Sequence, residues 1–69
     1  MGLQFRDTEN DRVYMVWEKK DKLGRRMFRP YCCQNGHLRV VPGTTWQRYE
    51  VDAQDDLRAL AAKNGWKKD

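Results

Sequence analysis

Cys32, Cys33 and His37 are the side chains in this 69-residue chain whose types and proximity could support nucleophilic or metal chemistry. A cysteine nucleophile needs a base within hydrogen-bond reach and a further group that orients the base. His37 lies across and beyond an Asn35-Gly36 turn from the cysteines, and no carboxylate occurs between Lys22 and Tyr49 to act as the orienting group. A structural zinc site takes four Cys or His ligands, whereas the chain holds two Cys and one His. Asp52, Asp55 and Asp56 are the clustered carboxylates, and they fall at the start of a helical pattern, where such residues serve as caps and solvated charges. No Gly-rich phosphate loop of recognised spacing is present. The expectation is a protein that is not an enzyme and that uses no metal and no cofactor.

Arginine is the residue type that carries the remaining chemistry. Lys22, Arg25, Arg26, Arg29, Arg39 and Arg48 form a run of six positive charges with no acidic residue among them, whereas the segments 1–21 and 50–69 each hold four basic and five acidic residues. The net charge of +4 is therefore localised in the middle of the chain. A patch of one sign raises the local concentration of anions, and guanidinium groups suit bidentate contact with phosphate or carboxylate.

The element that must position these residues is a hairpin around Asn35-Gly36. A two-residue type I′ loop needs positive φ at both central positions, which Asn tolerates and Gly adopts freely. Gln34 then faces His37, Cys33 faces Leu38, Cys32 faces Arg39 and Tyr31 faces Val40. Alternation sorts the side chains into two sets. Met27, Tyr31, Cys33, Leu38 and Val40 form an expected core face, with Arg29 out of place on it. Arg26, Phe28, Pro30, Cys32, His37, Arg39 and Val41 form an expected exposed basic face. Cys32 and Cys33 project to opposite sides, which disfavours a mutual disulfide and predicts reduced thiols. The candidate binding residues are Arg25, Arg26, Phe28, Arg29, His37, Arg39 and Arg48.

The other elements follow from periodicity. Residues 2–5 suggest a short edge strand with Leu3 and Phe5 inward, and Asp7 to Asp11 reads as a loop. Arg12 to Lys19 alternates as a strand, with Val13, Met15 and Trp17 assigned inward for their larger apolar area. Asp21-Lys22-Leu23-Gly24 is the next turn. Pro30 lacks a ladder donor and so suggests an edge or bulge in a strand that otherwise reads as central. Pro42-Gly43 breaks the sheet, Trp46 to Val51 suggests a further short strand, and Asp52 caps a helix with Asp55 in a capping-box position. Ala53, Leu57, Leu60 and Ala61 repeat at helical spacing, Gly65 stops the helix with Trp66 folding back on Ala61, and the residues from about 67 are expected to fray.

The fold expected is α+β: one small domain over 1–69, with a three- to four-stranded antiparallel meander and one C-terminal helix packed on a single face. In element order, and in having basic and aromatic residues on the middle strands, it resembles the small sheet-plus-helix DNA-binding domains at the amino termini of phage and transposon integrases. No sequence motif carries that resemblance. No apolar run approaches the ~20 residues of a membrane span, and the first residues show neither a signal peptide nor the myristoylation pattern, so no membrane partner and a cytoplasmic location are expected. Two function classes remain. The first is a nucleic-acid-binding module for DNA or RNA, with the arginines on phosphates or guanine edges and Phe28 stacking on a base. The second is a phage- or plasmid-type protein-binding effector or inhibitor that uses the same face on one acidic protein partner.

Overall fold

The computed structural model describes residues 2–69. Five strands form one antiparallel sheet: β1 (Gln4–Asp7), β2 (Arg12–Lys20), β3 (Arg26–Gln34), β4 (His37–Val40) and β5 (Lys67–Lys68), with a single helix α1 (Glu50–Asn64) between β4 and β5. Their order across the sheet is β4-β3-β2-β1-β5. The first four strands are a meander, and α1 carries the chain from the β4 edge to the β5 edge. Fifteen residues of helix rise about 22 Å, close to the ~19 Å spanned by four interstrand gaps, so one helix suffices to cross the sheet.

The Asn35-Gly36 hairpin forms with the register expected, pairing Gln34 with His37, Cys33 with Leu38, Cys32 with Arg39 and Tyr31 with Val40. Both turn residues have positive φ, 52° at Asn35 and 78° at Gly36. The Asp21–Arg25 loop closes the β2–β3 hairpin through the Asp21 carboxylate, which accepts the backbone N–H groups of Leu23 and Arg25, each at 2.9 Å. Trp17 then pairs with Arg29 and Met15 with Tyr31. Side chains expected to share a face therefore do share it.

The helix, however, packs on the other face from the one expected. Tyr14, Phe28, Pro30 and Val41 are buried together with Ala53, Leu57 and Ala61 of α1, and Leu3, Phe5, Val16, Cys32, Leu60 and Trp66 pack around them. Trp17 and Leu38, assigned inward from the sequence, are 45% and 43% exposed. The reason is electrostatic. Arg29 stands at the centre of the face with Trp17, Lys19 lies beside it and Arg6 follows on β1, and burying such charges without partners costs far more than exposing a tryptophan. The covered face carries charges too, Asp7, Arg12, Glu18, Lys20, Arg26 and Arg39, but all of them stay at least partly exposed around the helix.

Pro30 is neither at an edge nor in a bulge; it is fully buried in β3 between β2 and β4. The backbone of Phe28 exchanges two hydrogen bonds with Gln47 (2.8 and 2.7 Å), and Pro30 O accepts from Val41 N (3.1 Å). The backbone polar atoms of Phe28 and Pro30 thus point away from β2. The Pro30 nitrogen falls in the gap between the Gln47 bridge and β4, where no donor is required.

The remaining departures lie near the helix ends. Instead of a strand over 46–51, only Gln47 pairs, and α1 begins at Glu50 with Tyr49 at its N-cap and no side-chain cap. Asp52 sits in the first turn rather than at the cap. Asp55 pairs with Arg58 (3.0 Å), and Asp56 accepts from Gln47 Nε2 (2.9 Å). Gly65 (φ 72°) ends the helix, and Trp66 N–H donates to Ala61 O (3.0 Å), the Schellman arrangement expected. The last residues do not fray. Lys67 and Lys68 pair with Arg6 and Phe5, and Asp69 accepts from Gln4 Nε2 (2.6 Å) and Arg6 Nη2 (3.2 Å). This makes β1 an inner strand.

No helix among the described residues is long and apolar enough to cross a membrane.

Candidate nucleic-acid interface

Trp46 lies on the uncovered face towards the turn end of the β2–β3 hairpin, where a clamped loop brings it. Beyond Val41 the Pro42-Gly43 turn leads to Thr44, whose hydroxyl donates to Val41 O (2.6 Å). Arg29 Nε donates to the same hydroxyl oxygen (2.9 Å) and Arg29 Nη2 to the Thr44 carbonyl (2.6 Å). On the far side of Trp46, Gln47 is held to Phe28 by the two backbone bonds of their bridge. Trp46 is thus fixed from both sides, and its ring lies 6.2 Å from that of Tyr31, tilted by 57°.

Cations surround that ring. Lys19 Nζ stands over it at 4.4 Å from the centroid, and Arg29 Cζ lies at 5.7 Å, both within cation–π range. Arg25, Arg26 and Arg48 line an open cleft of about 860 Å³ that Trp46 and Met27 share. Two carboxylates lie nearby, and both are occupied. Asp21 pairs with Arg25 at 2.9 Å and Glu18 with Arg26 at 3.7 Å. The backbone N–H of Arg25, donated to the carboxylate, holds Asp21 below its ordinary pKa. Pairs of this kind at the surface add little to stability and are screened by salt. Among the described residues Arg48 has no side-chain hydrogen bond or ion pair.

The structure divides the arginines expected to act together. Arg25, Arg26 and Arg48 converge on the Trp46 cleft. Arg29 lies on the same side but is half-buried and bonded to Thr44, so it positions the loop. His37 and Arg39 stand at the other end of the β2–β3 hairpin. Phe28, expected to stack on a ligand, is 8% exposed beneath α1 and belongs to the core. Trp46, Lys19 and Trp17 were missed. The signal for Trp46 was its place beside Arg48 in the acid-free segment, just after a Pro-Gly break.

Cys32 and Cys33 are free thiols on opposite faces of β3. Among the described residues no group of three or more His, Cys, Asp or Glu side chains is arranged to hold a metal ion. In comparisons with known proteins, no family model, no curated protein and no solved structure matches this chain.

Proposed function

We propose that this protein binds single-stranded nucleic acid across the uncovered face of its sheet, acting as a binding module rather than a catalyst. The observation that carries this reading is the cation cluster about Trp46: Lys19 stands over its ring, and Arg25, Arg26 and Arg48 line the cleft that Trp46 shares at the turn end of the β2–β3 hairpin. A strand of nucleic acid asks for cations that follow its phosphates and aromatic surfaces on which bases stack. Trp17, 45% exposed and paired across the strands with Arg29, adds a second aromatic surface on the same face.

The second reading, a protein-binding effector, is favoured by the apolar part of the same face, where Leu38 and Trp17 are exposed. Titration of fluorescent single-stranded DNA and RNA at about 50 mM salt separates the two, because nonspecific electrostatic binding is visible there. Nucleic-acid binding should weaken with salt at a log-log slope of about 0.7 per phosphate contacted. R26Q or R48Q should flatten that slope, while W46A should cost about 1–3 kcal/mol of affinity with the slope retained. A flat titration with both polymers would exclude the nucleic-acid reading, and capture of one protein that survives nuclease treatment would support the effector.

A further inference from the structure

At the opposite end of the molecule from Trp46, α1 stops at Asn64 before it has covered the whole sheet. Beyond its end one cross-strand row of the helix-side face is left open, and the row inside it forms the floor of a recess, with Tyr14 buried and Arg39 exposed. The outer row runs His37, Gln34, Arg12, Asp7, and the inner row runs Arg39, Cys32, Tyr14, Phe5. The end of the helix walls this recess with Leu60, Asn64 and Trp66, and Val41 and Pro42 close the other side, enclosing about 470 Å³. That volume lies within the ~300–1,000 Å³ of small-molecule sites.

The polar groups in the recess favour an anion. Arg12 and Arg39 enter it from β2 and β4, on either side of β3, and His37 stands beside them. Gln34 Oε1 accepts from Arg12 Nε at 3.3 Å, which orients the guanidinium. Among the described residues Arg39 and His37 have no side-chain hydrogen bond or ion pair. The carboxylate in the recess, Asp7, already accepts from the Asn10 side chain (2.8 Å) and from the backbone N–H groups of Glu9 (3.1 Å) and Asn10 (3.4 Å). Leu60, Val41 and the Trp66 indole supply an apolar wall beside these charges. Two planar guanidiniums that can each grip an oxygen pair, with an imidazole beside them, match a phosphate better than a single carboxylate.

We propose that this recess binds the 5′-phosphate of a nucleotide, with the sugar or base against the Leu60–Trp66 wall. The chemistry is shared by a free mononucleotide and by the 5′ end of a strand. The site uses none of the residues around Trp46, so its failure and the failure of the interface there are separable.

The test follows amide and indole NMR signals of the intact protein during titration with AMP, and in parallel with one short oligonucleotide carrying either a 5′-phosphate or a 5′-hydroxyl. Saturable shifts at His37, Arg39 and the Trp66 indole with AMP, weakened about tenfold or more in R39A, support a site for free nucleotides. No response to AMP, but binding of the 5′-phosphorylated oligonucleotide about tenfold tighter than its hydroxyl form and loss of that preference in R39A, supports a strand-end site. Arg39 is exposed, so R39A should keep the native spectrum elsewhere; R12Q gives a second, independent reading. Absence of any phosphate-dependent response at the recess, or a response unchanged in R39A and R12Q, overturns the proposal.

Discussion

Tyr14 of β2 and Trp66, just beyond the helix, stack with ring centroids 3.6 Å apart and 10° between their planes. Gly65 makes this contact possible. Its left-handed backbone (φ 72°) turns the chain back, so that Trp66 returns to the sheet and Lys67 and Lys68 can pair with β1. The two aromatics thereby tie the last strand and the helix end to the middle of the sheet.

Trp66→Ala should therefore destabilise the fold by about 2–3 kcal/mol. That is below the ~3–5 kcal/mol for a fully buried Trp, because Trp66 is half-buried. Denaturant unfolding measures the loss. Protection of the Lys67 and Lys68 amides from exchange should fall with it, and unchanged protection would mean that β5 is held without the stack.

Leu57 is wholly inaccessible at the centre of the helix face, whereas Leu60 packs at the margin of the core. Leu57→Ala should cost about 3–5 kcal/mol and Leu60→Ala about 1–2 kcal/mol, since the penalty follows the cavity left behind. A small sheet with one helix has little stability to spare. Thermal melting should show L57A largely unfolded at 37 °C and L60A folded; equal losses would mean that the helix is rotated from the position described.

Acid should weaken the attachment of β5. The hydrogen bond from Arg6, followed by that from Gln4, holds the Asp69 carboxyl below its ordinary value of 3.8. A carboxyl depressed in the folded state contributes stability that is present above its unfolded value and is lost as pH falls through the folded one. The advantage of wild type over D69N in melting temperature should accordingly be constant above about pH 5 and vanish as pH drops below 3.8. Because this pair is exposed, the advantage should also shrink at high salt.

Local chemistry decided much of this protein at the level of sequence. Asn35-Gly36 specified its turn and with it the β3–β4 register, because few residue pairs accept positive φ twice in succession. The spacing of Ala53, Leu57 and Ala61 specified the face that α1 buries, and Gly65 specified where α1 ends. What alternation alone left open was which of two equivalent-looking faces the helix would cover, since period two separates the sets without ranking them. Apolar area favoured the Trp17 set. The tertiary structure chose the Phe28 and Tyr14 set, because Arg29 stands in the middle of the other, opposite Trp17, and cannot be buried without partners. With that choice the candidate site moved as well. Phe28 went into the core, while Trp46, Lys19 and the arginines near them were assembled from segments distant in sequence. Arg12 and Arg39 line one recess because α1 crosses the sheet without covering the strand ends that carry them.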